Sequence, residues 1–174
     1  MRTRLLLLAT ALLTGGLASP ALAAPPVPVE SQPPQTFPLC GTEVTISEEV
    51  NRTREHKDGR ITGALKLRVT NDRTRRSIVV NASGPGRVVE TDLGGGRFQL
   101  DFSFTGRSLI FPFIPGEVPF FRAAGLPDLF VTKGPFRQTT VIDVSGIDET
   151  TPPPVVGFTI DVPNRVEDLC DDIT

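Results

Sequence analysis

The feature of this chain that most constrains its fold is a period-two alternation of apolar and polar residues. The clearest examples are the segments Ile61–Thr70, Phe98–Phe104 and Val156–Val162. Because successive side chains of a β-strand point to opposite faces, each segment predicts a strand with one buried and one solvated face. Clusters of turn residues separate the segments about every ten residues, which is the spacing of an antiparallel meander.

These segments predict an all-β fold, an antiparallel meander of about 8–10 strands that closes into a small β-barrel. Closure would remove the exposed strand edges, and the short connections favour a barrel. The alternative is a two-sheet β-sandwich, which usually needs longer crossover connections. The best candidates for short helices are Pro119–Gly125 and Val166–Asp172.

The two cysteines, Cys40 and Cys170, stand near the ends of the β-rich region and predict a disulfide. The alternatives are two free thiols or a metal pair, but two Cys and a lone distant His56 make a poor zinc site. A bridge would place the two Cα atoms within about 7 Å, so we expect the first and last strands to lie side by side.

The N-terminus has the three parts of a secretory signal peptide. Arg2 and Arg4 supply positive charge, Leu5–Leu17 is apolar, and Ala21–Ala23 provides small residues for cleavage after position 23. The apolar run is shorter than the roughly 20 residues of a membrane-spanning helix, so an uncleaved anchor is the less favoured alternative. We therefore expect a secreted, extracellular protein with no transmembrane anchor after cleavage.

The remaining chain divides into a Pro-rich linker, residues 24–38, and a single domain, residues 39–174. The whole chain has 18 Lys and Arg against 20 Asp and Glu. Without Arg2 and Arg4 the balance is 16 against 20, a net charge of −4, which argues against nucleic-acid binding. The lack of Trp and Tyr argues against a carbohydrate-binding module. The sequence predicts no cofactor, no metal and no catalytic constellation.

The most unusual stretch is Leu109–Phe121, which is strongly apolar and interrupted by three prolines. One interpretation is core: a proline-bent strand and loop that closes one end of the barrel. The other is an apolar surface for a hydrophobic ligand, a lipid surface or a partner. Its candidate contact residues are Phe111, Phe113, Phe120 and Phe121.

Together these features predict a secreted, non-enzymatic binding or interaction module, whose ligand the sequence does not identify. An apolar ligand or a component of the cell envelope is the expected partner. One alternative is a barrel enzyme acting on an apolar small molecule, which would need polar groups converging inside the barrel. The other alternative is a structural protein of the cell envelope.

Several short motifs of the exported part resemble those of a group of small secreted proteins from high-GC Gram-positive bacteria. Apart from the two terminal cysteines, the shared motifs are Ile61-Thr62-Gly63, Val69-Thr70-Asn71, Ser83-Gly84-Pro85-Gly86, Phe104-Thr105-Gly106-Arg107 and Asn164-Arg165-Val166-Glu167-Asp168-Leu169-Cys170. The resemblance implies export and a β meander, and it brings no activity with it. The predicted barrel also resembles allene oxide cyclase and dirigent-type barrels in architecture alone, and a fold does not carry a function.

Overall fold

The computed structural model describes residues 25–148, 151–161 and 165–174, so the predicted signal peptide lies outside the described residues. In the described part of the chain, twelve strands pair antiparallel throughout. They are β1 (Val27–Pro28), β2 (Gln35–Leu39), β3 (Thr42–Glu55), β4 (Arg60–Asn71), β5 (Ser77–Asn81), β6 (Gly86–Gly94), β7 (Arg97–Phe104), β8 (Arg107–Ile110), β9 (Phe130–Lys133), β10 (Phe136–Asp143), β11 (Val155–Asp161) and β12 (Val166–Asp168).

The strands form one large and one small sheet. The large sheet runs β1-β3-β4-β6-β7-β10-β11, with β2 also paired to β3 and β5 also paired to β4. The small sheet has the order β12-β9-β8. Both β5 and β6 lie against β4 on successive stretches, β5 along Lys66–Thr70 and β6 only at Arg60 and Ile61.

One long bent hairpin links the two sheets. Its outer part is the pair β7–β10, and its inner part is the pair β8–β9. The two strands bend together at Thr105-Gly106 and Gly134-Pro135, where the Gly134 amide donates to the Gly106 carbonyl over 2.8 Å. Such bends allow strands to pass from one sheet to another at a corner.

The small sheet is covered on both faces. One face packs against strands β2 to β5, across a core that includes Val44, Val69, Leu129 and Val131. The other face meets a second cluster of buried residues, which consists of Ile110, Phe121, Leu126, Phe130 and Phe136. The small sheet therefore packs against the large sheet across a shared core, an arrangement compatible with the alternative of a β-sandwich.

The predicted barrel is wrong, because the large sheet is open. Its path ends at β1 on one side and at β11 on the other, and the described part of β11 pairs only with β10. Closure would need these two ends to pair. Instead, the bent hairpin carries β8 and β9 out of the large sheet, and they cover its apolar face rather than extending its edge.

The predicted disulfide is confirmed, with 5.3 Å between the Cα atoms of Cys40 and Cys170. The expectation that it joins adjacent first and last strands is wrong. Cys40 lies in the tight turn between β2 and β3, where it and Gly41 both have positive φ, as a two-residue type I′ turn requires. Cys170 begins the short helix α2 (Cys170–Ile173), after β12, which pairs with β9. The bridge therefore joins a hairpin of the large sheet to the end of the small sheet.

Part of the segment predicted as linker belongs to the sheet. Residues 35–38 are in β2, and Phe37 packs against the main core, which is the cluster that includes Val44 and Val131. Pro38 is tolerated there because, among the described strands, β2 pairs only with β3, and an edge strand can leave one side of its backbone unpaired. The predicted helix at 119–125 is matched by α1 (Val118–Ala123). Of the predicted helix Val166–Asp172, residues 166–168 form β12 instead, and residues 170–172 lie in α2.

Candidate functional site

The Phe loop, defined as residues 111–129, connects β8 to β9 at the closed end of the bent hairpin. It contains one turn of 3-10 helix (Pro115–Glu117) that leads directly into α1. Two of its prolines, Pro115 and Pro119, occupy first-turn positions of these helical segments, where the missing N–H has no helical partner to lose. The core interpretation expected the prolines to bend a strand. Pro115 and Pro119 instead stand in the first turns of helical segments.

The adjacent residues Phe120 and Phe121 have opposite environments. Phe121 is fully buried and contacts the rings of Phe130 and Phe158. Phe120 remains 38% exposed and stacks on Phe158, with 4.9 Å between the ring centroids. Both lie in α1, where consecutive side chains point about 100° apart, so one ring reaches the core and the other reaches the surface.

The other two candidates, Phe111 and Phe113, form an aromatic cluster with Phe37 of β2. Phe111 is half-buried against the main core, and its ring centroid is 4.8 Å from that of Phe37. Phe113 lies at the outside of the cluster, 57% exposed, with its ring 6.0 Å from Phe37 and 6.3 Å from Phe111. The structure therefore places Phe121 and most of Phe111 in the core, and Phe113 and Phe120 at the surface.

A buried carboxylate, Glu117, holds the Phe loop in this conformation. The side chain is 1% exposed. Its Oε2 atom accepts hydrogen bonds from the backbone amides of Phe113 (2.8 Å) and Ile114 (3.2 Å). Its Oε1 atom accepts from Gln138 Nε2 (2.9 Å) and Thr140 Oγ1 (2.6 Å) of β10. One carboxylate therefore ties the start of the loop to the large sheet.

Burial raises the pKa of Glu117 above its ordinary value of 4.5, although the four hydrogen bonds act in the opposite direction. Desolvation disfavours the charged form, and in the described part of the chain no cation pairs with this carboxylate. A buried group that is costly to ionise and fully hydrogen-bonded restricts the backbone that supplies its donors. The start of the Phe loop, at Phe113 and Ile114, is thus fixed by Glu117.

Sequence reasoning missed Glu117 as part of the site. Glu117 could have been identified from the sequence because it is the only charged residue between Leu109 and Phe121. A charge in the middle of an apolar stretch must either reach solvent or be satisfied inside. Its partners Gln138 and Thr140 were also not identified from the sequence, because polar residues are not expected at inward positions of a strand such as β10.

Comparisons with protein families, with curated proteins and with solved structures find no match to this chain. The similarity to small secreted bacterial proteins therefore stays a prediction. Among the described residues, no helix has the length and apolar character needed to cross a membrane.

Proposed function

We propose that this protein is a secreted, non-enzymatic binding module that recognises a protein partner through the exposed rings of Phe113 and Phe120. The N-terminal residues 1–23 have the organisation of an export signal. The Cys40–Cys170 bridge supports the same compartment, because disulfides persist in oxidising environments.

The observation that carries the proposal is the combination of exposed aromatic rings with a fixed loop. Large apolar side chains at the surface of a rigid loop are typical of binding surfaces, since aromatic residues are enriched in the cores of protein interfaces. A loop that is already held by Glu117 loses little conformational freedom on binding, which improves affinity without further contacts.

The charges of the chain favour a protein partner over a membrane. Arg122 is the only basic residue of the Phe loop, and its guanidinium lies 3.7 Å from the carboxylate of Asp128. Binding to anionic lipid is favoured by clusters of free Lys and Arg, which the loop lacks, and the exported part of the chain carries a net charge of −4. Phe113 and Phe120 would instead act as anchors that fill pockets on the partner.

The test compares three forms of the exported chain, immobilised and exposed to envelope and medium proteins of the cells that produce it. The forms are the wild type, the double variant Phe113→Ser/Phe120→Ser, and the control Val79→Ser, which removes a 49% exposed apolar residue from β5. We expect the wild type and the control to retain the same protein and the double variant to lose it. Equal retention by all three forms contradicts the proposal.

A parallel arm uses vesicles of phosphatidylcholine with and without phosphatidylglycerol. We expect no sedimentation of the wild type with either vesicle. Sedimentation that depends on Phe113 and Phe120 would replace the protein partner with a lipid surface.

A further inference from the structure

A cleft of about 170 Å³ opens between β4, the connection from β5 to β6, and β8. It is separate from the Phe loop. Its apolar walls are formed by the aliphatic side chains of β4 and by residues of the bent hairpin, namely Ile61, Leu65, Leu67, Phe104 and Leu109. For comparison, an apolar cavity of about 150 Å³ is enough to bind benzene.

The cleft exists because β5 and β6 leave β4 at different points. Leu65 pairs with neither β5 nor β6, and it lies between the stretches of β4 that pair with these two strands. The backbone of Leu65 is instead hydrogen-bonded to the amide of Ala82 and to the hydroxyl of Ser83. The chain then turns toward the small sheet, where the Gly84 amide donates to the Arg107 carbonyl over 2.8 Å. A Cβ at Gly84 would lie 2.6 Å from that carbonyl, so only glycine allows this approach. Part of the cleft wall is therefore backbone, at Gly84 in this connection and at Gly86 where β6 begins.

One polar atom in this cleft has an unmet hydrogen bond. Ser108 of β8 lines the cleft, is 4% exposed, and has no hydrogen-bond partner for its hydroxyl within the described part of the chain. The other hydroxyls at the cleft are engaged, since Thr53 donates to Asn51 Oδ1 and Thr62 contacts His56 Nε2. A buried hydroxyl without a partner has lost its hydrogen bonds to water, and an oxygen-bearing ligand could replace them.

The cleft also has one charged side chain among its described lining residues. Arg87 of β6 is exposed and lines the opening, and no acidic residue of the described chain forms an ion pair with it. A guanidinium at the mouth of an apolar cleft favours an anionic oxygen, because both partners remain hydrogen-bonded and partly solvated there.

We propose that this cleft binds a small amphiphile: an apolar body of roughly benzene size, a hydroxyl or carbonyl oxygen that bonds to Ser108, and a carboxylate near Arg87. Substituted benzoates are the simplest members of this class. The site is independent of the Phe loop, so the protein would carry two binding surfaces of different kinds.

The experiment titrates the exported chain with toluene, phenol and 4-hydroxybenzoate, and follows backbone and methyl NMR signals. We expect shifts confined to residues that line the cleft, and affinities that rise in that order, about five-fold per added polar group. Ser108→Ala should lower phenol and 4-hydroxybenzoate binding by about five-fold and leave toluene unchanged. Arg87→Gln should lower the affinity for 4-hydroxybenzoate to that for phenol, and it should leave the affinities for phenol and toluene unchanged.

A matched control is Thr132→Val. Thr132 pairs with Ser108 across the small sheet, and its buried hydroxyl also has no partner among the described residues, but it does not line the cleft. Its replacement should leave the affinities of all three probes unchanged. The proposal is overturned if no probe shifts the cleft signals at about 10 mM, or if Ser108→Ala and Thr132→Val act alike. Arg87→Gln changes an exposed residue, so it keeps the test informative if a buried variant fails to fold.

Discussion

Glu117 fixes the start of the Phe loop against the large sheet. Its four hydrogen bonds come from two parts of the chain, the loop backbone at Phe113 and Ile114 and the strand side chains Gln138 and Thr140. Removal of the carboxylate would take away the acceptor of these bonds, although Gln138 Nε2 would keep its bond to Thr140 Oγ1. A buried donor left unsatisfied costs about 1–3 kcal/mol. The residue therefore stabilises the loop even though its own burial is unfavourable.

The raised pKa of Glu117 predicts a pH-dependent contribution to stability. Between the ordinary value of 4.5 and the raised pKa, the folded state keeps a proton that the unfolded chain has released. The free energy of unfolding therefore falls as the pH rises through this window and is level above it. Glu117→Gln has no such proton, so the stability of the wild type relative to this variant should fall over the same window.

Urea denaturation of both proteins from about pH 4 to about pH 8 measures this difference, because other titrating groups cancel in the comparison. A difference that is constant or that grows with pH would show that the pKa of Glu117 is not raised.

At the scale of elements, the alternation of apolar and polar residues predicted the strands well where one face is apolar, as in β4, β7 and β11. It was less informative for β10, whose inward positions are Phe136, Gln138, Thr140 and Ile142. Two of these four are polar because they serve Glu117, a partner more than 20 residues away. The apolar and polar pattern depends only on local sequence, so it does not identify a strand whose inward polar residues bind a buried charge elsewhere in the chain.

The core and surface faces of the Phe loop predict losses of stability of different size when a phenylalanine is removed. Phe121→Ala should lower the free energy of unfolding by about 3–5 kcal/mol, because the ring is fully buried in the second core cluster. Phe113→Ala should lower it by less than about 1 kcal/mol, because its ring is mostly exposed.

Denaturation by urea, with the slope held as a check on two-state behaviour, measures both values. Similar losses for Phe121→Ala and Phe113→Ala would mean that the loop does not divide into a core face and a surface face.

For the whole molecule, the long-range arrangement was the part that the sequence did not predict. The Thr105-Gly106 turn signal was visible, but the same residues can end a hairpin or bend a strand from one sheet into another. That choice decides between a closed barrel and two stacked sheets. The disulfide was predicted from two residues and a compartment, whereas its place between a turn and a helix depends on the stacking.

The bridge joins the two sheets across a sequence separation of 130, so its loss should destabilise the whole fold. The chain-entropy relation gives about 5 kcal/mol for a loop of this length. We expect the double variant Cys40→Ala/Cys170→Ala to unfold at much lower urea concentration, with all spectroscopic probes changing together. Loss of the small sheet alone, with the large sheet intact, would contradict this cooperative coupling.

We expect the start of the Phe loop to be fixed, with the ring of Phe113 exposed, before any partner is bound. Native-state hydrogen exchange at the Phe113 and Ile114 amides measures this, since both donate to the buried Glu117 carboxylate. We predict that both amides exchange far more slowly than in an unfolded peptide, and that Glu117→Ala removes the protection. Exchange of both amides at the unprotected rate in the wild-type protein would contradict a preformed binding loop.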